Sequence, residues 1–480
     1  MIGSLTRVAA CTGMLARYFS RRALALGPLR SWAARALILL TMVAFVVGAA
    51  VVAYQFMRPV GSELGVWRYV FDLTSVSVTM IVLGIFMALR LLVGGASAVR
   101  DFTAQLPVSH RERRGALLAF EATTLVLITA VLMAAMGIAS TMILGPRGVL
   151  LATTPIVTGV VVYLVVTIAH NAGDLLLTLL GLRRVRSTVL LLATFAALLW
   201  LNARLVSLVG AVSLPDAPGG RALIGLNLMP WLLHTYGPWA YVLGAGGLVA
   251  VLALAAVLTA PNAHPSHHRF VNLALPVRTS GPWGVHLAYA LRNQHLWLGV
   301  SLAAALFAYL AGTASVHPLW SAALLSFPGM YHYGNTRALR ILHPERGPWS
   351  IWLRMVGCQT AVVGVFLAAG FGVLALARPE LLAGSAEPLL GTVAAVVFAV
   401  LVGSAFPAEN DNPFSALLGS LVLALILAFV GILTGLLQLP AAATVPLLAA
   451  LAALAAVVSV WSIHVHETRS RHDVPQALAV

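Results

Sequence analysis

Lysine is missing from this chain of 480 residues; all 29 basic side chains are arginine. A phosphate-gripping loop of the G-x-x-x-x-G-K-[ST] kind needs that lysine, so nucleotide hydrolysis by that route is excluded from this polypeptide. The arginine-only usage reads as a compositional bias of the genome rather than a demand for bidentate donors. Acidic residues are scarce as well, 14 in all, and only 9% of residues are charged. Two cysteines, Cys11 and Cys358, are too few for a disulfide framework. Ser, His and Asp are scattered, with no G-x-S-x-G elbow, and the loop RPVGSELGVWR offers a lone Glu63 where a metal-dependent glycosyltransferase needs an acidic pair. No enzyme acting in its own right, and no cofactor or metal on this chain, is expected.

What the chain has is apolar surface. Hydrophobic residues make up 60% of it and the mean hydropathy is +0.96, far outside the soluble range. The expectation is an all-α, polytopic membrane protein. The net charge of +15 does not imply nucleic acid, because the arginines fall in short clusters between apolar runs, where topology and anionic lipid headgroups account for them.

Residues 1–30, with Arg7, Arg17, Arg21 and Arg22 spread through them, lack the compact apolar core and cleavage site of a signal peptide. They predict an amphipathic helix on the cytoplasmic surface. A window of about twenty residues then marks six candidate spans in residues 31–260: Ala33–Met57, Tyr69–Arg90, Ala116–Leu144, Val149–Ala169, Ser187–Val209 and Trp239–Thr259. Residues 294–464 hold six more: Leu296–Ala314, Leu319–Gly334, Ile351–Ala377, Leu389–Ala405, Ser415–Leu437 and Val445–Ile463. Twelve spans put both termini on one face, and with the N-terminus inside, all 29 arginines but Arg58, Arg68, Arg147, Arg204, Arg221 and Arg378 fall on inner segments. That asymmetry predicts cytoplasmic termini, with residues 465–480 as a tail.

Residues 261–293, rich in Pro, His and Asn, read as a cytoplasmic linker ending in a second interfacial helix over Trp283–Asn293. His264, His267 and His268 there are interrupted by Pro265, and linker is the reading preferred over metal site. The linker divides two six-helix halves. Aligning Pro107 with Pro344 also places Arg100 on Arg337, so the halves resemble a duplication with an axis along the membrane normal. Only the first half has the long segment 213–238, whose Pro230, Trp231 and Tyr236, with Trp239 beyond, suit a re-entrant or interfacial helix.

Ionisable residues in or near spans are Asp72, Arg90, Glu121, Asp174, Arg204 and Arg354. Most lie close to a span end, where snorkelling relieves them. Glu121 shares a helical face with Arg114 two turns back, which predicts a structural role in fixing the preceding segment to its span; proton relay is the other reading. Asn202 and Arg204 are candidates for lining an exit path, against an outer-leaflet arginine that snorkels. Glu409 and Asp411, in PAENDNPFS, read as a solvated turn.

The segment that organises the rest is Arg100 to Glu121, RDFTAQLPVSHRERRGALLAFE, a basic insert between apolar runs in which Pro107 should break the helix. LPVSHRERRGALLAFE resembles the cytoplasmic loop of ABC-2 type exporter permeases, where a Leu-Pro-x-Ser segment and basic residues precede the third span of each six-helix unit. The resemblance implies a coupling helix docked on a separate ATP-binding subunit, in two copies, which holds the ATP and Mg. It assigns that contact to Leu106, Pro107, Ser109, Arg111, Arg113 and Arg114, with Glu121 behind them, and in the second half only Pro344 and Arg346 match. It further implies outward movement of a hydrophobic or amphipathic substrate through a bacterial cell membrane, with lipid as the surrounding partner. A twelve-helix facilitator-type secondary transporter shares the topology and remains open, as does an integral membrane enzyme of lipid or polymer synthesis.

Overall fold

The computed structural model describes residues 2–24, 31–93, 108–182, 186–212, 228–260, 281–313, 316–342, 347–407 and 441–477, with isolated positions 419, 422, 423 and 426. Among these residues there is no strand, as an apolar backbone that must pair its own N–H and C=O groups requires. Two compact units are present: Met1–Leu91 with Asp101–Pro265, and Leu92–Arg100 with Ser266–Val480.

The first unit begins with α1 (Ile2–Leu24), whose Cys11 and Leu15, one turn apart, are buried. Helix α2 (Trp32–Met57) ends in a 3-10 turn, Arg58–Val60, and leads to α3 (Leu64–Val93). The Trp67 indole N–H donates to the Gly61 carbonyl at 2.9 Å and pins that turn. Helix α4 (His110–Leu144) and α5 (Pro146–Leu179) form a hairpin through Gly145. Helices α6 (Arg186–Val212) and α7 (Leu228–Leu258) complete the unit. Helix α7 is broken at Gly237, whose φ of 84° favours glycine. The break sets residues 228–236 apart from the long apolar run, with Trp231 against Tyr236 and Trp239 exposed. Within 213–238, where a re-entrant or interfacial helix is expected, residues 228–236 form this short helical piece, and 213–227 lie outside the described residues.

The second unit has α8 (Pro282–Arg292), α9 (Gln294–Thr313), a 3-10 helix over Pro318–Ser326, then α10 (Gly329–Asn335) and α11 (Arg337–Leu342). Helix α12 (Pro348–Ala377), a 3-10 turn at Pro379–Leu382, α13 (Ala386–Ala405) and α14 (Ala441–Ala477) follow. The core gathers Leu296, Ala303, Leu319, Ala322, Leu325, Val363, Leu367 and Val396.

Ten helices among the described residues are long and apolar enough to cross a membrane, which makes this a multi-pass membrane protein. They overlap ten of the twelve expected spans. Ser415–Leu437 falls almost wholly outside the described residues. The continuous helix expected over Leu319–Gly334 is not what forms there: the backbone narrows to a 3-10 helix, turns at Phe327 and Pro328, and restarts as α10. Pro328 has no N–H to continue a ladder, and the Leu325 carbonyl accepts instead from Gln359 Nε2 on α12. Leu319, Ala322 and Leu325 are fully buried, so the irregular backbone is enclosed by protein, the circumstance in which a bilayer tolerates it.

At one contact with this broken segment, a methyl group added at Gly403 of α13 would lie 2.4 Å from the Met330 carbonyl oxygen, whereas nothing lies within 4 Å of the corresponding position at Gly364. Gly403→Ala should therefore lower the stability of the detergent-solubilised protein by about 1–3 kcal/mol, while Gly364→Ala leaves it unchanged or raises it slightly, as thermal unfolding would report.

Candidate functional site

The basic insert resolves at its C-terminal side into a helix start. Ser109 is the N-cap of α4: its side chain accepts from the Glu112 N–H at 3.3 Å, and its own N–H donates to Glu112 Oε2 at 2.9 Å. This reciprocal box fixes the first turn and contributes about 1 kcal/mol. Arg7 of α1 meets Glu112 at 3.1 Å; because Arg7 is largely exposed, the pair orients more than it stabilises. The Thr12 hydroxyl donates to the Ala116 carbonyl at 3.3 Å and Val8 lies across Gly115, so α1 is a strap along the first two turns of α4.

Of the insert's arginines, Arg111 is exposed, whereas Arg113 and Arg114 are half-buried. Arg113 Nε and Arg114 Nη2 are shut off from solvent without a hydrogen-bond acceptor. Leu106 and Pro107, and in the second half Pro344 and Arg346, lie outside the described residues, as do His264, His267, His268, Glu409 and Asp411.

Behind the cap, buried Glu121 accepts a hydrogen bond from the Tyr163 hydroxyl of α5. Its partner comes from the next helix. Phe86 of α3 presents its face to the Arg90 guanidinium, 4.9 Å from the ring centroid, and its ring meets those of Tyr163 and His170 at 6.1 and 5.5 Å. Asn171 donates to the Ala256 carbonyl of α7 at 3.3 Å. Further along α5, Asp174 pairs with Arg186 at the start of α6. Nη1 donates to Oδ2 at 3.3 Å, while Nε, 3.2 Å from Oδ1, is off-axis and makes an ion pair only. Arg186 Nη1 also donates to Thr178 at 3.1 Å.

The second unit has a different arrangement. Helix α8 packs Trp283 over Gly357 in the third turn of α12, and the Cys358 thiol points at the Trp283 carbonyl 3.9 Å away. His286 Nδ1 and His332 Nε2 are 2.9 Å apart, a distance that needs one of the two nitrogens to carry the proton. Tyr289 accepts from Asn335 at 2.7 Å. Arg340 of α11 is buried, with Nε 3.1 Å from Glu467 Oε1 of α14 and its guanidinium 4.1 Å from the Tyr333 ring centroid.

Asn202 is half-buried and Arg204 exposed, its guanidinium 5.7 Å from the centroid of the exposed Trp200 ring. Among the described residues no group of three or more His, Cys, Asp or Glu is placed to hold a metal ion.

Sequence reasoning missed Glu112, Tyr163, the two histidines and the Arg340–Glu467 pair. A signal for the first was present, since Ser-His-Arg-Glu ahead of an apolar run is the spacing of a capping box. The others join residues 42 to 127 positions apart, which no local spacing reveals. Comparison with known protein families, characterised proteins and solved structures finds no match to this chain.

The Glu121–Tyr163 bond gives a direct test of the cluster. Tyr163→Phe leaves a buried carboxylate without this donor and should cost roughly 1–3 kcal/mol in detergent melts. Glu121→Gln combined with Tyr163→Phe should cost less than the sum of the two single changes.

Proposed function

We propose that this chain is the membrane-spanning permease subunit of an ATP-driven exporter of the ABC-2 type. In this reading it has twelve membrane crossings in two halves, the one at 319–334 being broken rather than a continuous helix, with both termini cytoplasmic, in a bacterial cell membrane. Two copies of a separate ATP-binding subunit supply the ATP and Mg, and the cargo is hydrophobic or amphipathic.

The observation that carries the reading is the start of α4. A helix of 35 residues is about 52 Å long, well beyond the ~30 Å hydrocarbon layer, which leaves room for its polar first turns, HRERR, to stand clear of the apolar zone. Those turns are capped by Ser109, strapped by α1 and bear the exposed Arg111. The helix then runs unbroken to Leu144. A push on such an end is carried along the rod into the bundle, because a packed helix shifts as a body and does not bend locally. Leu106 and Pro107 precede the cap in sequence, where a partner would grip. Nucleotide-driven closure of the partner would deliver that push and drive the movement of the cargo.

The buried Glu121–Tyr163 pair favours one other reading, a proton-driven facilitator, because a carboxylate within membrane helices is a natural proton site. Proton-coupled uptake by the chain purified alone would support it.

Pull-down of the tagged chain from native membranes tests the proposal. A soluble protein carrying a P-loop should co-purify, and Arg111→Glu or replacement of Pro107 should abolish its recovery while the melting temperature stays put. Arg111 is the cleanest position, since Arg113 and Arg114 are half-buried and their reversal also disturbs packing. Recovery of the wild-type chain without such a partner, or unchanged recovery with Arg111→Glu, contradicts it.

A further inference from the structure

The two units brace the helix that follows the basic insert in different ways. In the first, Glu112 of α4 is held by Arg7 of α1. In the second, the matching turn of α12 has Trp349 and Ser350 and no carboxylate, so an ion pair of that kind cannot form there. The acid comes instead from Glu467, far along the chain on α14.

Around it the contacts are dense. Arg340, the fourth residue of α11, sends Nε to Glu467 Oε1 at 3.1 Å. Its Nη1 donates to the Tyr333 carbonyl at 2.7 Å and to the Thr336 hydroxyl at 2.8 Å. The Tyr333 hydroxyl donates to the same Glu467 oxygen at 3.2 Å. One arginine thus joins α10, α11 and α14. Just before Glu467, Ile463 is fully buried with Tyr333, Ile351, Met355 and Val400, and the Ser462 hydroxyl donates to the Ser404 carbonyl at 2.9 Å, which binds α14 to α12 and α13.

We propose that Arg340 is a positioning residue for transport: through Glu467 it makes the second insert and α14 move as one piece, so that a push delivered at α11 reaches the bundle through the last helix. This rests on the permease reading and extends it. The first half takes up force along α4 directly, and the second takes it up through a side-chain joint. A buried arginine suits that task, since its planar group engages Glu467, Tyr333 and Thr336 at once and so holds their elements in one geometry.

The test uses the complex of this chain with its ATP-binding subunits, reconstituted in vesicles, with ATP hydrolysis and substrate movement measured together. Arg340→Gln and Glu467→Gln should each leave the partner bound and hydrolysing but lower transport per ATP by about tenfold, and the double variant should be no worse than either. Arg340→Lys, which keeps the charge opposite Glu467, should retain most of the wild-type ratio, a rescue that a purely structural role would not produce. If Arg340→Gln fails to fold, Tyr333→Phe removes a second donor to Glu467 and should lower the ratio in the same direction. Transport per ATP unchanged in these variants, or loss of the partner together with transport, overturns the inference alone. A wild-type chain that recovers no ATP-binding subunit overturns the permease reading, and this inference with it.

Discussion

Hydrocarbon offers no partner to an N–H or a C=O, and nearly every feature of this protein follows from meeting that demand within the chain. Long helices satisfy it by their own ladders. Where small polar residues are buried on helix faces, they satisfy themselves by donating to the carbonyl one turn back, as Ser75, Thr79, Thr129, Thr158 and Thr167 do. Where the ladder is interrupted, at Ser326 to Gly329, a side chain from a neighbouring helix takes over, and the break is wrapped in the core of the second unit.

The same demand governs charge. A lone ion in this environment is costly, and the buried acids of the described residues have partners: Glu112 with Arg7, Glu121 with Tyr163, Asp174 with Arg186. The partners come from different helices, so each pair is also a joint that fixes one rod against another. Arg7–Glu112 lies at the start of α4 and Arg340–Glu467 on α11, the two places where an outside partner would act in the reading proposed above.

The sequence was most legible where one residue type or one period decides the outcome. Hydropathy located ten of the membrane-crossing helices, and the spacing of arginines in residues 1–30 foretold α1. A single proline defeated the rule in 319–334: an apolar run reads as a span whether or not Phe327-Pro328-Gly329 turns the backbone inside it, and what decides is the enclosure supplied by α9, α12 and α13. The spacing within α4 offers Glu121 a partner at Arg114 on its own helix, whereas the hydrogen bond it makes is to Tyr163 on α5, 42 positions away. Arg340 and Glu467 were unreadable as a pair because 127 residues separate them.

The central claim is that the exposed first turn of α4 is where an ATP-binding subunit seats. Both native cysteines are buried, so a single cysteine at position 111 carrying a photo-crosslinker can be attached with little background. Illumination of native membranes should yield an adduct with a P-loop protein whose amount changes when a non-hydrolysable nucleotide is added. Adducts with lipid alone, or labelling of that cysteine by an impermeant thiol reagent from outside the cell, would contradict the account.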